Sequence, residues 1–273
     1  MNQASIGKVI SVSGIGLHKG NGSKVEFSPA EPDSGIIIRN KGETYKLDVK
    51  YVSSTNRGTV LKRGKSTLHT VEHMLSAIKA LGIDNIIISV EGDEAPVLDG
   101  SSSGFIAAFK NAEVIKQKPE KKAFKIKEPY LLGRDGKYLV VLPGEGFTVR
   151  YFSDFSRHGI AAEEAGLEVT PEAYEREISK ARTFGFKSEL NWLMKAGLAR
   201  GGTLDNAIVI ENGKPVKGRL RYANELTRHK VLDIIGDFAF IEGRLNMTVI
   251  AYKTGHGQNI EMVKKLLKSD NNF

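Results

Sequence analysis

Apolar and polar residues alternate in short runs through the first fifty positions. Lys8 to Val12, Lys24 to Phe27, Ile36 to Arg39 and Tyr45 to Val49 read as strands. Gly20-Asn21-Gly22 and Pro32-Asp33-Ser34-Gly35 separate them as turns. The period then changes: Leu68, Val71, Met74, Leu75, Ile78 and Leu81 recur at three- and four-residue spacings, which predicts an amphipathic helix closed by Gly82. Ile86 to Val90 reads as a buried strand and Ser101 to Phe109 as a second helix with a serine cap. Between Val114 and Ala123 the Lys-rich stretch KQKPEKK has no periodicity and one proline, and is predicted to be a linker.

The second half repeats the plan. Strand-like runs at Phe124 to Ile126, Tyr138 to Leu142 and Phe147 to Phe152 precede Thr170-Pro171-Glu172, which starts a helix with an N-cap, a first-turn proline and an acidic residue at the positive dipole end. A short helix is expected around Trp192, and Ala207 to Ile210 forms an apolar run. Glu225 to Phe240 is the strongest helix of this half, followed by a strand at Leu245 to Tyr252 and a final helix at Ile260 to Leu267. The chain thus reads as an α+β protein of two related halves, residues 1–117 and 122–273, each a sheet covered by helices with a site where they meet. Its 273 residues, 40% hydrophobic and 26% charged, exclude a mainly disordered chain.

Charge and cysteine content narrow the chemistry. Forty Lys and Arg against 32 Asp and Glu leave +8, which favours anionic partners. Basic residues are scattered without interleaved aromatics, so nucleic acid is not expected as a partner. There is no cysteine, so a metal must be held by His, Asp or Glu. Met1 to Gly20 has no apolar core behind a basic segment, and no run approaches the roughly 20 apolar residues of a membrane span. A cytoplasmic monomer with at most peripheral membrane contact is the expectation.

His229, Asp233 and Asp237 are spaced by four on the strongest helix, so their side chains form one polar stripe. Two ligands at i and i+4 can share a metal ion, although a solvated helix face gives the same spacing. His69-Thr70-Val71-Glu72-His73 matches the H-x-x-E-H arrangement of inverted zinc peptidases. A competing reading takes His73 alone as a ligand, with Glu72 as base and the other ligands from His229 and Asp233. A third makes both histidines the polar edge of a surface helix. His256, between Gly255 and Gly257 after a strand, suits a proton donor at a cleft and equally a turn. Gly100-Ser101-Ser102-Ser103-Gly104 matches a serine-hydrolase elbow but more simply caps a helix. A basic module for RNA or membrane surfaces, with the His and Asp residues merely structural, is the rival from another class.

Seven stretches together resemble the UDP-3-O-acyl-N-acetylglucosamine deacetylases, the zinc amidohydrolases of lipid A biosynthesis. They are GIGLHKG (Gly14 to Gly20), TVEHMLSAIKALGIDN (Thr70 to Asn85), PVLDGSS (Pro96 to Ser102), ARTFGF (Ala181 to Phe186), GLARGGTLDNAIV (Gly197 to Val209), NELTRHKVLDIIGDF (Asn224 to Phe238) and KTGHGQN (Lys253 to Asn259), in the family's order. The resemblance implies two β-α-α-β half-domains and zinc held by His73, His229 and Asp233, with iron(II) as the alternative ion in the cell. It implies Glu72 as general base, and His256, held by Asp237, as the acid that meets the oxyanion or the leaving amine. Thr183 would bind the oxyanion, and Lys230 and Phe184 would contact a UDP-linked acylated glucosamine. His69 is an imidazole that the family does not require; Thr55-Asn56-Arg57-Gly58-Thr59 keeps the flanking threonines of the pattern around a more polar middle, and residues 155–168 match it poorly.

Overall fold

The computed structural model describes residues 1–269. Strands β1 (Asn2–Ile6), β2 (Ile10–Ile15), β3 (Gly22–Pro29), β4 (Ile36–Asn40) and β5 (Glu43–Lys46) open the chain. A small antiparallel sheet of β6 (Val52–Ser54), β7 (Val60–Arg63) and β8 (Ser66–Leu68) leads into α1 (Glu72–Ala80), β9 (Ile86–Glu91), α2 (Ser103–Ala112) and β10 (Val114–Glu120). Then follow β11 (Ala123–Lys125), β12 (Tyr130–Arg134), β13 (Lys137–Pro143), β14 (Phe147–Phe155), β15 (Ile160–Glu168) and α3 (Pro171–Glu177). A second insertion holds β16 (Phe184–Phe186), α4 (Lys187–Lys195), β17 (Ile208–Glu211) and β18 (Lys214–Pro215). The chain closes with α5 (Glu225–Asp237), β19 (Arg244–Tyr252) and α6 (His256–Ser269).

The two halves share one topology. In the first, the sheet order is β2-β3-β9-β4-β5, with β9 antiparallel to β3 and parallel to β4. In the second it is β12-β13-β19-β14-β15, with β19 antiparallel to β13 and parallel to β14, and β11 joining beside β19. Each half thus has two hairpins, a helix, a central strand and a second helix, the expected α+β plan. Each also carries an insertion between its second hairpin and its first helix: β6 to β8 in one, and the segment from α3 to β18 in the other. Both insertions deliver residues to the cleft described below.

One apolar core runs without a break from Phe27, Met74 and Phe109 to Val231, Phe238 and Val249. The reason lies in α1. The amphipathic pattern predicts one buried face, yet eight of its nine residues are buried, because the helix also packs against α5. The helix begins at Glu72, not Leu68, since Leu68 ends β8 and Thr70 takes a positive φ of 56° that interrupts helical geometry. At the crossing, a Cβ placed on Gly236 would lie 2.3 Å from the carbonyl oxygen of Glu72, so only glycine lets the backbones approach this closely.

The predicted linker is a strand. β10 pairs antiparallel with β1, tying residues 2–6 to 114–120. Pro119 falls where the register shifts between Asn2 and Ala4, a position that needs no ladder donor. The Lys-rich composition marks a solvated strand face and not a free connection. Residues 155–168, unassigned in the sequence reading, hold the end of β14 and the whole of β15, a mostly exposed edge strand whose Glu163, Glu164 and Glu168 hid its extended conformation. The Thr170 cap forms as expected, its hydroxyl accepting from the Ala173 N–H at 3.2 Å.

Substituting Gly236 by alanine should force α1 and α5 apart and destabilise the protein by about 1–3 kcal/mol, the usual cost of overpacking. Denaturant unfolding measures this, and a change smaller than ~0.5 kcal/mol would show that the crossing relaxes freely.

Candidate active site and metal centre

The N-terminal turn of α1 and the face of α5 that meets it carry most of the polar side chains buried at the centre. Glu72 is the first residue of α1, where the helix dipole favours a carboxylate. Its Oε2 accepts from the Thr59 N–H at 3.0 Å. His73 follows, buried, with its ring centroid 5.0 Å from that of His229 at an interplanar angle of 85°. One turn further along α5, Asp233 places Oδ1 3.4 Å from His229 Nε2. One donor atom each from His73, His229 and Asp233 lie within 4.8 Å of one another, the one such group of His, Asp and Glu among the described residues.

Protonation suits this group to a cation. Burial, with the neighbouring His229, His256 and Lys230 opposing a second positive charge, depresses His73 to about 3, and burial depresses His229 as well, so both imidazoles are neutral at physiological pH. Burial would raise Asp233, but the Lys230 ammonium, 2.6 Å from Oδ2, and the nearby histidines hold it well below the usual carboxylate range. His229 Nδ1 lies 3.0 Å from the Ala181 carbonyl and donates to it, which leaves the Nε2 lone pair facing Asp233. His73 Nδ1 is buried without a hydrogen-bond partner. Two neutral imidazoles, one ionised carboxylate and an orphaned ring nitrogen fit a divalent cation, which would satisfy what the protein leaves unpaired.

A second pair lies across the gap. His256 begins α6, and Tyr151 of β14 fixes the preceding turn by donating to the Thr254 carbonyl at 2.7 Å. His256 Nδ1 lies 2.8 Å from Asp237 Oδ2, while Nε2 points toward Glu72 Oε1 at 3.7 Å and Asp233 Oδ2 at 3.8 Å. Burial alone would lower His256, but Asp237, Asp233 and Glu72 together raise it to about 10. Burial pushes Glu72 up to about 7, with His256 opposing and Asp233 and Asp237 adding to the rise. Two titratable groups are therefore held in one pocket with different proton affinities.

Glu72, His73, His229, Asp233 and His256 line a cleft of about 540 Å³, together with Thr183, Phe184 and Lys230. Asp237 stands behind His256, fully buried. Phe184 of β16 sets its ring 6.1 Å from that of His229, and the Lys230 ammonium lies 5.4 Å from the Phe184 centroid. Thr183 is held by its backbone, donating to Gly100 O at 2.7 Å and accepting from Ile208 N at 2.9 Å. All nine expected site residues thus come together. A larger cleft of about 1220 Å³ between β1, β10 and the end of α1 lies elsewhere, and no histidine is among the described residues that line it.

His69 is not part of the group. Its backbone pairs with Asp93 and Ala95, and its imidazole lies near Lys19, Glu94 and His18. An H-x-x-E-H zinc site needs both histidines on one helix, and the positive φ at Thr70 removes that condition. Ser102 is the N-cap of α2 but makes no side-chain capping bond; its buried hydroxyl hydrogen-bonds with Tyr174 Oη at 2.7 Å instead. The stripe on α5 is not solvated either: His229, Asp233 and Asp237 are at most 3% exposed. Sequence reasoning missed Thr59 and Asn259, both bonded to Asp237, and Glu225, which binds Arg182 beside Thr183 at 2.8 Å. Two had a signal: Asn259, three residues after His256 on the same helix, and Thr59, a threonine kept from the family pattern, though its role was not assigned.

A family model described as LpxC, UDP-3-O-acyl N-acetylglycosamine deacetylase, matches residues 3–268. The chain is 39% identical to the UDP-3-O-acyl-N-acetylglucosamine deacetylase of Oleidesulfovibrio alaskensis, over 95% of this chain and 87% of that one. The Wolinella succinogenes protein of the same name is also 39% identical, over 100% and 93% of the two chains. That of Helicobacter hepaticus is 37% identical, over 99% and 91%. Fold and site define a metal-dependent hydrolase of amide bonds. The chain belongs to the UDP-3-O-acyl-N-acetylglucosamine deacetylase family.

Metal analysis of the purified protein should find one tightly held divalent ion per chain, lost in His229→Ala or Asp233→Ala and retained in His69→Ala. Loss of the ion in His69→Ala with retention in Asp233→Ala would reverse the assignment.

Proposed function

We propose that this protein removes acetate from UDP-3-O-acyl-N-acetylglucosamine, giving UDP-3-O-acyl-glucosamine in lipid A biosynthesis, with His73, His229 and Asp233 holding zinc, or iron(II) in its place. The observation that carries this reading is the opposition of Glu72 and the His256–Asp237 pair, 3.7 Å apart, beside a three-donor cation group. Such an ion supplies a Lewis acid that polarises the acetamide carbonyl and makes water acidic near neutral pH. Glu72 takes a proton from the water whose oxygen attacks the acetyl carbon. The C–N bond then breaks, and His256 gives its proton to the departing nitrogen, so acetate and the free amine result. Asp237 keeps the His256 ring in place and stabilises its imidazolium. The Thr183 hydroxyl meets the developing oxyanion. Lys230 and Phe184 contact the sugar nucleotide, and the overall positive charge suits its diphosphate.

We place the domain division between residues 117 and 122, although one core joins the two halves. We further propose a cytoplasmic monomer that binds no nucleic acid. No described helix is long and apolar enough to cross a membrane.

The test is acetate release from the acylated and unacylated sugar nucleotides. Burying about ten methylenes at roughly 0.8 kcal/mol each outweighs the ordering of the chain by several kcal/mol. The unacylated compound should therefore lose at least about 100-fold in kcat/KM. Glu72→Gln should keep the ion and the fold and lose on the order of 10²–10⁴ in kcat. Equal rates with both substrates, or full activity in Glu72→Gln, would end the proposal.

Activity should rise with pH as Glu72 ionises and fall as His256 loses its proton, giving a bell. The carboxyl, pushed up to about 7, sets the acid limb, and the imidazole, raised to about 10, sets the alkaline one. A bound dication displaces both limbs downward without changing their order. His256→Gln should flatten the alkaline limb; an unaltered limb would assign it to a different acid.

A further inference from the structure

Thr59 immediately precedes β7, fully buried, and each of its polar groups is engaged at the centre of the site. Its N–H donates to Glu72 Oε2 at 3.0 Å, and its carbonyl accepts from the Val71 N–H, the N-cap of α1, at 3.3 Å. Its hydroxyl donates to Asp237 Oδ1 at 2.6 Å and lies 3.4 Å from His256 Nδ1. One residue therefore touches the carboxylate facing the cleft from α1 and the carboxylate that holds the imidazole from α5.

The demand for this contact comes from Asp237. It closes the last turn of α5, where the helix dipole is negative and opposes a carboxylate. It is also fully buried, so its charge depends on donors supplied by the protein. Oδ2 receives two, His256 Nδ1 at 2.8 Å and Asn259 Nδ2 at 2.9 Å. Oδ1 receives the Thr59 hydroxyl. Without it, the carboxylate is free to turn about its Cβ–Cγ bond toward another donor, and the oxygen that seats His256 Nδ1 turns with it.

We infer that Thr59 is a positioning residue for the deacetylation, fixing the His256–Asp237 pair through its hydroxyl and Glu72 through its backbone N–H. The inference rests on the assignment of His256 as the acid in the proposed function. Only the hydroxyl arm can be removed by substitution, and the backbone arm survives any residue other than proline.

The experiment compares Thr59→Val, Thr59→Ser and Thr59→Ala in the metal-loaded enzyme, with kcat, KM, metal content and melting temperature measured for each. Thr59→Val should lower kcat by about 10–100-fold, the scale on which orienting hydrogen bonds act, with KM within about twofold and metal content unchanged. Thr59→Ser should restore kcat to within about threefold of wild type, and Thr59→Ala should match the valine variant, since serine and alanine differ by the hydroxyl alone. If the valine variant does not fold, the serine and alanine pair carries the comparison. In a His256→Gln background Thr59→Val should cost less than about threefold, because the ring it orients is gone. Wild-type kcat in Thr59→Val, a serine variant as impaired as the alanine one, or an undiminished further loss in the His256→Gln background would each overturn the inference. The proposed acid role fails separately, by full activity of His256→Gln alone.

Discussion

The close crossing of α1 over α5 is the constraint on which the site depends. With no side chain on Gly236, the backbone of α5 meets the Glu72 carbonyl, and the first turn of one helix is set against the C-terminal half of the other. His73 is thereby brought to ring contact with His229. The duplicated topology supplies two equivalent helices, yet the site does not share its symmetry. The first helix contributes from its N-terminal turn, and the second along three successive turns at His229, Asp233 and Asp237. Each half gives a scaffold, and the candidate site residues are distributed unequally over it.

That crossing also determines the electrostatics. Taking three carboxylates and three imidazoles out of water together is costly unless each has a partner. The protein answers with a chain of pairs: Lys230 with Asp233, His256 with Asp237, and the Thr59 N–H with Glu72. What the chain leaves over is an unpaired nitrogen on His73 and a gap between His256 and Glu72. Both fall in the space that the proposed reaction assigns to the reacting groups and the cation.

Legibility from sequence followed the reach of each interaction. The stripe on α5 and the amphipathic period of α1 are local, so fold class, both helices and the candidates Glu72, His73, His229, Asp233 and Asp237 could be named from them, whereas Thr183, Phe184, Lys230 and the division of roles came only from the family resemblance. Burial of the stripe could not, because the spacing of His229, Asp233 and Asp237 is the same on a wet face and a dry one. The H-x-x-E-H pentapeptide presupposes a helix through His69, and one backbone angle at Thr70 removes it. β10 passed for a linker because its lysines face solvent while its order comes from β1, more than a hundred residues away. Thr59 meets Asp237 across 178 positions of sequence, and no spacing rule spans that distance.

The unbroken core has a consequence for how the chain acquires its ion. The proposed cation donors come from residue 73 on one helix and residues 229 and 233 on the other, so neither half alone presents a complete donor set. High-affinity uptake therefore requires both halves folded and docked, and ion binding is thermodynamically linked to the global unfolding equilibrium. An ion at about 100 times its dissociation constant adds roughly 2.7 kcal/mol to the stability of the docked state and nothing to that of a half-folded chain. Occupancy thus reports completed folding, and depletion of the ion lowers the population of intact protein before any chemistry is attempted.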